Sequence, residues 1–107
     1  MEQENNLTIQ EVGKITGLSV HTLRYYERIG LLNSVNRNSN GYRLYDSTNI
    51  AWIEFLNRLR ETGMSIHQMQ EFSTLRNLGA TTISDRRLLL EQHYQTVKTK
   101  LLNSNKT

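Results

Sequence analysis

Leu7 to Gly30 reads LTIQEVGKITGLSVHTLRYYERIG, and this stretch decides the fold. Thr8 suits a helix N-cap, Glu11 three residues later closes a capping box, and Leu7 and Val12 stand at the spacing of a hydrophobic staple. Ile9, Val12 and Ile15 form the expected inner face, and Gly17 fits the left-handed stop of a short helix. Ser19 is the next cap. Val20, Leu23 and Tyr26 give a second short helix running to about Ile29, with one of Tyr25 and Tyr26 facing the core and the choice between them open. Two short helices joined by Thr16-Gly17-Leu18-Ser19 predict a helix-turn-helix. Its second helix carries His21, Thr22, Arg24, Tyr25 and Arg28, side chains that reach bases and phosphates.

Beyond Gly30, Asn33 to Asn40 is polar and turn-rich, and Asn40-Gly41 is a strong hairpin signal. Tyr42-Arg43-Leu44-Tyr45 follows with β-favouring residues, which predicts a two-stranded wing that must lean on the helices, Leu44 being the expected inward contact. Asp46 or Ser47 caps a third helix to about Thr62, with Trp52, Phe55, Leu56 and Leu59 as one apolar stripe. Gly63 ends it. Ser65 and Gln68 repeat the capping box and Met64 and Met69 the staple, so a second helix-turn-helix is expected, its fourth helix reaching about Arg76 before a loop over Asn77 to Thr81. The last helix starts near Thr82 or Ser84. Ile83, Arg87, Leu90, Tyr94, Val97 and Leu101 alternate at spacings of four and three, a short heptad seam with one charged interruption. The expected fold is therefore mainly α: a winged helix-turn-helix of about four helices and a small hairpin, then a C-terminal coiled-coil helix. The expected divisions are a disordered 1–6, a DNA-binding domain at 7–76, a dimerisation helix at 82–102 and a polar tail at 103–107.

Composition narrows the function. The 107 residues include no cysteine, so disulfides, thiolate metal sites and cysteine nucleophiles are excluded, and no proline, which leaves long helices uninterrupted. No apolar run approaches a membrane span or a signal-peptide core, and without a targeting segment the expected location is the cytoplasm. The net charge of +3 is unevenly spread: residues 17–45 carry +3 and four of the five tyrosines. A basic, tyrosine-rich segment suits a phosphate-facing surface, although scattered solvated charge would give the same counts. His21, His67 and His93 show no ligand spacing, and no nucleophile motif, paired carboxylates or glycine-rich phosphate loop is present, so neither a metal, a cofactor nor an enzymatic activity is expected.

The residues from Thr8 to Ser19, then Leu23-Arg24-Tyr25-Tyr26-Glu27 and Gly30-Leu31-Leu32, resemble the N-terminal signature of MerR-family regulators. Asn40 to Asp46 resembles that family's wing, and Leu59 to Ile66 its second helix-turn-helix. Three motifs in order, over roughly residues 7–76, make the resemblance specific. It implies a homodimer joined by an antiparallel coiled coil of the C-terminal helices. Such a dimer binds double-stranded DNA at a near-palindromic promoter site and distorts the spacer so that RNA polymerase can use the promoter, an activator's mechanism. The resemblance names no inducer: this chain has none of the cysteines of the family's thiol sensors, and a drug-binding domain is not expected after its last helix.

Arg24, Arg28 and Arg43 are the foremost expected DNA contacts, since guanidinium groups grip phosphate or guanine in a bidentate way. Arg37 joins them from the basic segment, and Tyr25 and Tyr26 offer hydroxyls to phosphates. Ion pairs on the helix surface, such as Arg24 or Arg28 with Glu27, are the bland alternative. His21 and Thr22 stand where side chains reach base edges, Thr22 being equally suited to a role in the helix's first turn. The family's pattern adds Tyr42 and Arg60 to the backbone contacts. Leu90, Tyr94, Val97 and Leu101 are the expected dimer contacts. Two other readings stay open at this point: an architectural DNA-bending or recombination directionality factor with the same head, and a module that binds only protein.

Overall fold

The structure, a computed structural model, describes residues 6–32 and 36–104. The expected disordered stretch therefore falls outside the described residues except for Asn6, as do 105–107 of the expected tail. In order come α1 (Ile9–Thr16), α2 (Val20–Arg28), β1 (Asn36–Arg37), β2 (Arg43–Leu44), α3 (Ser47–Glu61), α4 (Ile66–Asn77), a 3₁₀ turn (Ala80–Thr82) and α5 (Ile83–Ser104). The chain forms two compact units, residues 1–58 and 59–107, with α4 and α5 in the same unit. The reason is that α4 packs along α5 and belongs with it.

In the first unit the local signals act as read. The Thr8 hydroxyl accepts from the Glu11 amide at 3.2 Å while the Glu11 carboxylate accepts from the Thr8 amide at 2.8 Å. Gly17 ends α1 at φ 78°, in the left-handed region where a side chain is strained. Ser19 caps α2 by accepting from the Thr22 amide. Asp46 and Asn49 exchange backbone-to-side-chain hydrogen bonds at 3.0 and 2.8 Å, and Asp46 thereby starts α3.

Ile9, Val12, Leu23, Tyr26, Leu31, Leu32, Tyr45, Trp52, Ile53 and Leu56 are buried. Trp52 buries its ring and still donates from Nε1 to the Leu31 carbonyl at 2.7 Å, which avoids the cost of an unpaired indole. Ile15 does not join this set and is exposed. Six positions beyond Ile9 it lies about 240° around the helix, and α1 stops before another turn can use that face. Phe55 is only half-buried, its ring tilted against Trp52, while the buried position beside the stripe is Ile53.

The wing differs in detail from its expected form. Asn38 accepts from the Gly41 amide through its carbonyl and donates its own amide to the Tyr42 carbonyl, so Asn40-Gly41 closes a longer turn instead of forming a two-residue one. The Asn38 side-chain oxygen accepts from the amides of Asn40 and Tyr42, and Gly41 stands at φ 83°. Arg37 pairs across from Arg43, and Asn36 from Leu44. The fully buried wing residue is Tyr45, not Leu44, because the chain beyond β2 turns inward to exchange two 2.8 Å backbone hydrogen bonds with Leu7.

In the second unit Leu59, Met64, Met69 and Phe72 are buried, and the Ser65–Gln68 capping box is formed. The stretch between α4 and α5 is not a plain loop. The buried Thr82 hydroxyl meets the Leu75 and Gly79 carbonyls, and Arg86 donates to Thr82 Oγ1 at 3.1 Å and to the Gly79 carbonyl at 3.2 Å. α5 runs 22 residues, taking in Asn103 and Ser104 of the expected tail, and none of its residues is buried.

Candidate nucleic-acid interface

The first unit gathers most of the expected DNA contacts on α2 and the wing. His21, Arg24 and Arg28 are exposed along α2. Thr22 is half-buried, and its hydroxyl lies 3.0 Å from Ser19 Oγ, so the first-turn role is the one its geometry displays. Tyr25 is the outward tyrosine of the pair, half-buried, with the Arg28 guanidinium 5.4 Å from its ring centre. Such a stack restrains Arg28 without using its N–H donors. Tyr26 is 0% exposed. This corrects its place among the expected DNA contacts: three residues past Leu23, it shares that residue's inward face of α2.

On the wing, Tyr42 is 68% exposed, the most open aromatic among the described residues. Arg37 is exposed and donates one Nη1 hydrogen bond of 2.8 Å to the Gly41 carbonyl, which braces the turn and leaves its other donors outward. Arg43 reaches back to α2, where its Nε donates to a carboxylate oxygen of Glu27. The helix-surface pairing of Glu27 with Arg24 or Arg28 is thus replaced by one across sixteen residues. No hydrogen bond or ion pair engages Arg24 among the described residues.

Between wing and helices lies a cleft of about 390 Å³ lined by Thr8, Gln10, Arg24, Asn38, Tyr42 and Arg43, among others. Its wall combines two guanidinium groups with the first turn of α1, a cationic and donor-rich concavity suited to an anionic backbone. The buried Tyr45 borders the same cluster. Burial, helped by the nearby Glu27 charge, raises its hydroxyl above the ordinary tyrosine range, so it stays protonated.

Residues that sequence reasoning missed are Glu27 as the partner of Arg43, Asn38 as the organiser of the turn, and Tyr45 as the anchor. An Asn two residues before Asn-Gly was a local signal that could have revealed the longer turn.

In the second unit, Arg60 is exposed near the end of α3. Of the expected dimer contacts, Tyr94 and Leu101 are exposed and Leu90 and Val97 half-buried. Ile83, Leu88 and Leu102 also remain more than half exposed on α5. His21, His67 and His93 lie on α2, α4 and α5.

A helix-turn-helix whose second helix is flanked by a basic hairpin defines a winged helix-turn-helix protein. Residues 7–75 match the MerR HTH family regulatory protein domain, and the chain belongs to that family. It is 42% identical over 89 residues to the HTH-type transcriptional regulator AdhR of Bacillus subtilis, covering 83% of this chain and 64% of that one, so it spans just under two thirds of that relative's length. Among solved structures, HiNmlR, a MerR family regulator lacking the sensor domain and bound to promoter DNA, superposes with a TM-score of 0.89 at 29% identity, over 95% of this chain and 81% of that one. A MerR family transcriptional regulator from Bacillus thuringiensis gives 0.84 at 28% identity, over 95% and 90%.

Proposed function

We propose that this chain is a sequence-specific DNA-binding transcriptional regulator that acts as a homodimer, laying α2 and the wing of each copy on one half of a near-palindromic promoter site. The observation that carries this reading is the cleft where Arg24, Tyr42 and Arg43 converge beside the exposed face of α2. Phosphate contacts fix register while base edges give sequence information. Arg24, Arg28, Arg37, Tyr25 and Tyr42 are therefore assigned to the backbone, together with Arg43 and, in the second unit, Arg60. His21 is assigned to the base edges, and Thr22 shapes the turn that presents it.

The exposed apolar positions of α5 support the dimer. A 22-residue helix with Tyr94, Leu101 and Leu102 open to solvent leaves more apolar surface than a single copy needs, and a second copy would cover it. As a member of the MerR family, the dimer would distort the promoter spacer and so control its use by RNA polymerase. The promoter-bound state of HiNmlR supports the DNA half of this reading.

Purified protein mixed with genomic fragments, followed by sequencing of what is retained, tests it. Recovery of a short inverted-repeat motif bound by two copies is expected. Retention of no duplex in dilute buffer overturns the proposal, and a single copy bending DNA without sequence preference favours an architectural factor.

A further inference from the structure

Arg43 is held in an unusual way for a residue facing a nucleic acid. Its Nε donates to Glu27, and among the described residues no hydrogen bond engages Nη1 or Nη2. The guanidinium is a planar fork, so using the Nε side leaves the end-on pair of Nη donors intact, the edge that fits a phosphate in a bidentate way. The same side chain lines the cationic cleft with Arg24 and Tyr42. Its backbone is fixed as well: Arg43 pairs with Arg37 in the hairpin, and two residues on, Tyr45 is tied to Leu7 by two hydrogen bonds. The partners are only partly exposed, 31% for the arginine side chain and 19% for the glutamate, which limits solvent screening of the pair.

From this geometry, and resting on the DNA-binding reading above, we infer that Glu27 is a positioning residue for phosphate recognition: it clamps Arg43 by Nε and presents the Nη edge to the DNA backbone. The clamp also joins the recognition helix to the wing, so a phosphate gripped by Arg43 fixes where α2 sits in the groove. Plain charge counting gives the opposite sign. Glu27 is an acid placed near a polyanion, and removing it would raise the net charge from +3 by one and tighten binding. A clamp makes its removal weaken binding, because the freed arginine must lose its rotamer freedom when it meets the phosphate.

The two signs are separated by fluorescence anisotropy on a mixed-sequence duplex of about 30 base pairs, three helical turns. The parent protein, Glu27→Gln, Arg43→Lys and the double variant are compared across a salt series, and circular dichroism melts confirm that each is folded. Glu27→Gln keeps the shape of the side chain and an acceptor oxygen but loses the charge, and about fivefold weaker binding is expected. In the Arg43→Lys background the same change should tighten binding or leave it unaltered, since one ammonium cannot serve carboxylate and phosphate in a fixed fork. Tighter or unchanged binding by Glu27→Gln alone overturns the inference while the DNA-binding function stands. An equal loss in both backgrounds also overturns it, by showing an effect that does not pass through Arg43. Failure of the parent itself to bind would remove the DNA-binding reading instead, and the inference with it.

Discussion

The phenol of Tyr45 is buried, and its hydroxyl has no hydrogen-bond partner among the described residues. A buried unpaired hydroxyl carries a desolvation cost that a matching apolar group avoids. Tyr45→Phe should therefore leave stability unchanged or raise it by up to about 1 kcal/mol, read from urea unfolding. A loss of more than that would mean that the oxygen has a partner in solution. The raised affinity of this hydroxyl for its proton also sets a pH dependence. The folded state holds the proton more tightly than the unfolded chain, whose tyrosines titrate near about 10. Above that value the unfolded state binds fewer protons, so stability is full below pH ~10 and falls as pH rises further. Tyr45→Phe should flatten that alkaline decline.

The short helices depend on their ends. α1 has eight residues, below the length at which a free helix persists in water, and its capping box satisfies amides that would otherwise be lost. Thr8→Ala should destabilise the protein by about 1 kcal/mol, lowering the urea midpoint without changing the slope of the transition. Gly63, which ends the turn after α3, stands at φ 95°, where any side chain is strained; a Cβ there would lie in ordinary contact with Lys100, so space is not the obstacle. Gly63→Ala should cost about 1 kcal/mol or more through backbone strain alone. For the wing, Arg43→Gln should reduce the slope of log affinity against log salt by about 0.9, the share of one phosphate.

For the molecule as a whole, the deciding feature is the set of apolar side chains on α5, Leu88, Tyr94, Leu101 and Leu102 among them, that stay more than half exposed. Charge placed there, as Tyr94→Glu with Leu101→Glu, should convert a dimer to a monomer in sedimentation and cut DNA affinity steeply, while helix content by circular dichroism stays the same. A paired site bound by single copies loses the gain of tethering one half-site contact to the other. If the double variant still sediments as a dimer, the seam lies elsewhere on the chain.

Much of this was legible in the amino-acid order. The capping boxes at Thr8–Glu11 and Ser65–Gln68 and the left-handed stop at Gly17 stand as the residues foretold, because each is an interaction between neighbours three or four positions apart. Such contacts form wherever the local conformation forms, whatever the rest of the chain does. What the sequence left open or misplaced were choices that depend on distant segments. Tyr26 rather than Tyr25 turns inward, Tyr45 rather than Leu44 fills the wing's inner side, Ile15 stays in solvent, and Glu27 takes Arg43 rather than an arginine of its own helix. The last pair spans sixteen residues and exists only once hairpin and helix are side by side. Periodicity assigns a side chain to a face of its element, but only packing decides which face another element covers and which charges it brings within reach.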